Sequence, residues 1–191
     1  MKLNEKMFLV YKLFNSSFTG LSIGISFTIY QPLSLEDQSV YSLGGMVLAI
    51  GMIIVARFYD KLLNIKSFFR ISLLVEIIML LTLFIFLYLQ YSLTSALLIY
   101  MGYQLTFIFG GYLVRAETLV AQEKDFLGKI DINKQIGYLI GLGASYAFYK
   151  ALEYGFEITN SKTQISILHY FLISLQTLII LLLLRSFSKE N

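Results

Sequence analysis

Long apolar runs alternate along the chain with short clusters of polar and charged residues. Six runs are long enough to cross about 30 Å of hydrocarbon, which takes about 20 helical residues at about 1.5 Å each. They fall near 13–33, 40–57, 67–89, 94–114, 134–152 and 164–184. The third and sixth are the most apolar. The first is interrupted by Asn15, Ser16, Ser17, Thr19, Ser22 and Ser26, and the second is short and rich in glycine and other small residues. Pro32, the only proline, stands where the first run ends, as its missing N–H requires of a residue that cannot continue a helix. The pattern predicts one all-α integral membrane domain over residues 1–191, a six-transmembrane-helix bundle. The first run is too polar for the core of a cleavable signal peptide, and no small-residue cleavage site follows it.

Composition supports lipid as the solvent. Hydrophobic residues make up 57% of the chain and charged residues 14%, with a mean hydropathy of +0.71. A soluble domain carries about a quarter charged residues, so this chain has too little polar surface to cover itself in water. Its formal charge of +3 is explained by where the cations lie, without nucleic acid as a partner. Lys2, Lys6 and Lys12 precede the first run. Arg57, Lys61, Lys66 and Arg70 lie between runs two and three, Arg115, Lys124, Lys129 and Lys134 between four and five, and Arg185 and Lys189 after the sixth. Only Lys150 and Lys162 fall on the other side. Thirteen of fifteen cations therefore share one face of a six-span arrangement, and the positive-inside rule makes that face cytoplasmic, with both termini. The expected location is a bacterial cytoplasmic (inner) membrane. Tryptophan is absent, leaving Tyr30, Tyr41, Tyr88, Tyr91, Tyr149 and Tyr154 to anchor the outer boundary. The longest stretch between runs, 115–133, is too short for a soluble core. Its alternating charges read as a solvated or headgroup-facing segment.

After the second run comes Ala56-Arg57-Phe58-Tyr59-Asp60-Lys61. With the six-run layout, a short basic link before run three and a charged link before a glycine-rich run five, this segment resembles one six-helix half of a major facilitator superfamily transporter. The family signature there runs Gly-x-x-x-Asp-Arg/Lys-x-Gly-Arg-Arg/Lys. Asp60 and Lys61 match it, whereas Ala56, Leu63 and Asn64-Ile65 depart from it. Arg115 and Glu117, ending run four, stand where family members often place a basic and an acidic residue. Leu127-Gly128-Lys129 through Gln135-Ile136-Gly137-Tyr138-Leu139-Ile140-Gly141 resembles the entry to span five. The resemblance implies a 3+3 helix repeat, a cytoplasmic gating role for Arg57, Asp60, Lys61, Arg115 and Glu117, and a close approach of Asp60 to Arg115. Whole family members have two halves related by an axis along the membrane normal. A half-length chain would then act as a homodimer, or with a second six-span subunit.

Depth along the helices selects further candidates. Ser22 lies ten residues past Lys12, Gln104 eleven before Arg115 and Gln176 nine before Arg185, each roughly 14–17 Å inside the boundary and so near the midplane. The resemblance implies that spans one and four line a cavity, grouping Asn15, Ser22 and Ser26 with Tyr103, Gln104 and Phe107 around a small polar or zwitterionic solute. Interhelical hydrogen bonds are the structural reading of the same residues. Glu76 is the only acidic residue well inside a run. It is a proton-coupling candidate, or the structural partner of Arg57, Arg70 or Arg115. His169, the only histidine, is a second proton candidate, since free imidazole titrates near 6.5, or a helix-end hydrogen-bonding residue. Small residues recur every fourth position at Ser16, Gly20, Gly24 and Thr28 and at Gly137, Gly141 and Ser145, a spacing that brings helix backbones together within a bundle or between copies. No hydrolase, zinc-protease or phosphate-loop motif is present, and with no cysteine and one histidine no metal site or cofactor is expected. The expected function is membrane transport of a small polar solute by a homodimer. The rival is a non-transporting accessory subunit of a larger membrane complex.

Overall fold

Four helices begin where an asparagine or serine can accept a hydrogen bond from the unpaired N–H groups of a first turn. Asn4 Oδ1 accepts from the Met7 amide at 3.2 Å, and Asn64 Oδ1 from Ser67 at 2.9 Å. Ser92 Oγ accepts from Ser95 at 3.0 Å, and Asn160 Oδ1 from Lys162 and Thr163 at 2.9 and 3.2 Å. The computed structural model describes residues 1–25 and 39–188. Among them the helices are α1 (Glu5–Ser22), α2 (Ser39–Arg57), the single turn α3 (Tyr59–Leu62), α4 (Ile65–Leu89), α5 (Leu93–Ala121), α6 (Lys124–Gly155) and α7 (Ser161–Arg185). Ser26, Thr28, Tyr30, Pro32 and Lys189 lie outside the described residues.

α4, α5 and α7 are long and apolar enough to cross a membrane, at 25, 29 and 25 residues, and α2 holds a shorter apolar stretch, Tyr41–Arg57. By length and composition the chain is that of an integral membrane protein. α5 and α6 both run past the apolar stretches that announce them. α5 continues through Arg115 and Glu117 to Ala121, and α6 starts at Lys124, so the expected link 115–133 is nearly all helix, broken only at Gln122–Glu123. Hydropathy marks where lipid ends, whereas backbone hydrogen bonding carries a helix on into charged sequence.

α1 lies along α6 and also against α7, α4 lies between α5 and α7, and α2 rests on α5. The α1–α6 seam is the tightest because glycine stands on both sides of it. Gly137 and Gly141 press on the backbone of Leu13 and Ser17, and Gly20 on that of Tyr138 and Leu142. Of the two small-residue series, these three positions serve packing within the bundle. Gly24 has open space beside it.

The chain ends meet. β1 (Lys2–Leu3) pairs antiparallel with β2 (Phe187–Ser188), and the Asn4 amide donates to the Ser186 carbonyl at 2.8 Å. Beside this pair Phe8 packs its ring against Phe68, Phe126 and Phe187, at 6.0, 6.5 and 6.0 Å between centroids. One buried aromatic cluster thus joins α1, α4, α6 and β2.

Gln90, which ends α4, has φ 49° and ψ −136°, a conformation that a Cβ disfavours. Left-handed backbone costs an L-residue about 1–2 kcal/mol, against about 0.5–1 kcal/mol for the extra freedom of glycine when unfolded. Gln90→Gly is therefore expected to stabilise the protein by up to about 1 kcal/mol. A higher unfolding midpoint in detergent would show it, and a lower one would contradict it.

Candidate functional site

Tyr11 and Asn15 are one helical turn apart and so project from one face of α1. Both reach the same oxygen. Tyr11 Oη–H donates to Glu76 Oε1 at 2.6 Å, and Asn15 Nδ2 donates to it at 2.8 Å. From α7, Gln176 Nε2 donates to Glu76 Oε2 at 2.8 Å and to the Glu76 backbone carbonyl at 2.9 Å. Glu76 is 3% exposed and Gln176 1%. The donors around this carboxylate are all neutral. Neither Arg57, Arg70 nor Arg115 pairs with it, and no ion pair among the described residues includes it.

The carboxylate lies at the wall of a cavity of about 320 Å³ between α1, α4, α5 and α7. Asn15, Ser22, Tyr103, Phe107 and Gln176, separated in sequence, line it together with Glu76. Thr19 of α1, Ile23 just past its end and Phe107 of α5, also in its lining, are exposed on the outside of the bundle. The cavity therefore opens along the seam between α1 and α5, which make no extensive contact with each other. Gln104 does not line it. That side chain is half-buried, and its Oε1 has no hydrogen-bond partner among the described residues. Ser26 lies outside the described residues. His169 is elsewhere on α7, stacked on Phe86 at 3.9 Å with Nδ1–H donating to the Ile165 carbonyl at 2.8 Å.

A second polar cluster adjoins the first through α1. Lys12, next to Tyr11, pairs with Glu117 of α5, which also pairs with Lys134 of α6. Glu117 is 4% exposed and Lys12 12%, while Lys134 is more open and lies 3.6 Å from Asp131. Two ammonium groups thus hold one buried carboxylate and tie three helices together. Glu117 was expected in a solvated link, but the helical extension of α5 carries it inward between α1 and α6. Farther out, Asp125 and Lys129 pair at 2.5 Å on the exposed surface of α6.

The other residues of the loop motif, Arg57, Asp60, Lys61 and Arg115, are exposed, and none enters an ion pair among the described residues. α3 instead meets the end of α5 through tyrosines. The Arg115 guanidinium sits 5.4 Å from the centre of the Tyr59 ring, and Tyr112 Oη–H donates to the Leu62 carbonyl at 2.8 Å.

Tyr11, Lys12 and Lys134 are the side chains of these clusters that sequence reasoning passed over. In the sequence the two lysines read only as markers of the charged face. A usable signal existed, since Lys12, Glu117 and Lys134 all stand at the same end of their predicted spans and so at similar depth.

No protein-family model, no curated protein and no solved structure matches the chain.

Proposed function

We propose that the chain is a six-span half-transporter of the major facilitator kind, working as a homodimer and carrying a small polar solute along the dimer axis. The observation that carries this reading is the cavity. It holds a buried polar network, yet its rim of Thr19, Ile23 and Phe107 lies on the outer surface of one copy. Lipid hydrocarbon is a poor cover for an opening that leads to the Glu76 carboxylate and its polar neighbours. A second copy placed across the α1–α5 seam would enclose it.

Two features of the fold support the reading. The pairing of β1 with β2 suits an even number of crossings between them, and the positive-inside rule applied to the cation distribution favours a cytoplasmic side for both. The five most extensive helix contacts also map onto one another when α1, α2 and α4 are exchanged for α5, α6 and α7. α1 on α6 becomes α5 on α2, α4 on α5 becomes α7 on α1, and α4 on α7 maps onto itself. A 3+3 repeat would pair the helices in this way, which supports the reading. Under this reading the exposed residues Arg57, Asp60, Lys61 and Arg115 belong to the cytoplasmic face.

The natural chain has no cysteine, so single cysteines report contacts cleanly. Phe107→Cys is expected to give disulfide-linked dimers on mild oxidation in membranes, whereas Leu181→Cys, exposed on α7, is expected to give few. Purified protein in liposomes should take up small polar solutes. Protein that stayed monomeric in nanodiscs and carried nothing would defeat the proposal. Co-purification with a larger complex, without uptake, would favour the accessory-subunit reading.

A further inference from the structure

We infer that the cavity takes a small organic cation, a protonated amine bound by the Glu76 carboxylate. This rests on reading the cavity as a solute site and names the class of solute. A carboxylate can accept about four hydrogen bonds. Three are made here, two at Oε1 and one at Oε2, all from neutral groups. One acceptor position remains at Oε2. The neighbouring Gln176 Oε1 is buried with no partner, and its orientation is fixed because the amide nitrogen serves Glu76 twice. Both unfilled groups accept hydrogen bonds and neither donates.

A buried carboxylate is costly unless a positive charge compensates it. Lys12, the lysine beside this network on α1, directs its ammonium to Glu117 instead. An entering ammonium would supply N–H donors and a positive charge in direct contact, whereas Lys12 acts on Glu76 only from a distance. The cavity wall also carries Phe18, Tyr103 and Phe107, and aromatic faces attract cations. A volume of about 320 Å³ suits a small ligand of roughly one ring and an amine, at the lower end of the usual range. An anion would meet the carboxylate and find no cation among the described lining residues.

The test uses the full chain in phosphatidylglycerol nanodiscs at neutral pH, with empty discs as the blank. Three probes of one shape are titrated by calorimetry: benzylammonium, benzyl alcohol and benzoate. Benzylammonium is expected to bind about ten-fold or more tightly than the other two, as a charge-assisted hydrogen bond implies. Glu76→Gln should remove that preference. Should that variant fail to fold, Phe107→Ala at the exposed rim should still fold and weaken benzylammonium a few-fold by loss of a ring face. Equal binding of benzyl alcohol or benzoate, or no benzylammonium binding at millimolar concentration, would overturn the inference. Discs that also contain phosphatidylethanolamine identify the source of the ammonium. Competition there indicates a lipid headgroup, and unchanged affinity a soluble amine. Equilibrium binding also separates this inference from the carrier reading. Intact benzylammonium binding without liposome uptake would remove only the carrier, and uptake indifferent to solute charge would remove only the cation site.

Discussion

Glu117→Gln is expected to destabilise the protein by about 3 kcal/mol, the lower part of the range for removing one partner of a buried ion pair. The wild-type carboxylate stands between two ammonium groups, Lys12 and Lys134. Without its charge those groups face each other across a neutral amide. Their exposures decide which suffers more. Lys134 can turn toward water and toward Asp131 on its own helix, so it relaxes at small cost. Lys12 is 12% exposed, and its other neighbours are the Phe8 and Tyr11 rings, 5.2 and 5.4 Å away. Those rings repay only part of the lost pairing, roughly 0.5–2 kcal/mol. Adding Lys12→Met to Glu117→Gln should therefore recover much of the loss, because the stranded charge is gone. Unfolding in detergent for the wild type, both single variants and the double variant measures the coupling. Strict additivity would mean that the cluster does not act as a unit.

The second large effect concerns one methyl group. Gly141→Ala is expected to cost about 2–3 kcal/mol, as overpacking does in a close-packed interior. The new Cβ would run into the Ser17 carbonyl and lie 2.8 Å from the Leu21 amide nitrogen. Both are backbone atoms, so no side chain can swing aside and α1 must move away from α6. Gly143, two residues on, is the internal control. It is exposed, with nothing within 4 Å of where a Cβ would sit. Gly143→Ala should therefore be neutral or stabilising by up to about 1 kcal/mol, the helix-propensity difference. Unfolding midpoints for the pair separate close approach from propensity. Equal effects would show that the α1–α6 seam accommodates a methyl group at position 141.

Much of the bundle was legible because two independent signals coincide in the sequence. Apolar runs locate helices such as α4 and α7, and the charge clusters divide them. The cavity was partly legible for a different reason. Helical rise converts sequence distance into depth, so Ser22 and Gln176 could be placed at one level before any packing was known. Depth does not fix rotation about the helix axis, which is why Gln104, at the right level on α5, turns away from the cavity while its neighbour Tyr103 faces it. Glu76 was recognisable as unusual, but not its partners. An arginine is the usual guess for a buried carboxylate, whereas here a tyrosine, an asparagine and a glutamine share the task. Tyr11 and Asn15 reach it only because the glycine seam sets the position of α1. That seam involves residues more than a hundred positions away in α6, and no local pattern encodes such a placement.

The pairing of the two ends has a consequence for how the protein is made. α1 leaves the ribosome before the other helices of the bundle, with Lys12 and Asn15 on it and a surface that receives glycines. Its main neighbour, α6, begins at Lys124, and the strand that pairs with Lys2–Leu3 is Phe187–Ser188. The partners of its polar side chains come later, Glu76 with α4 and Glu117 with α5. Contacts of such long sequence separation are slow to form. The helix at the centre of both polar clusters thus precedes its partners in those clusters, and its glycine seam closes only once α6 has been made.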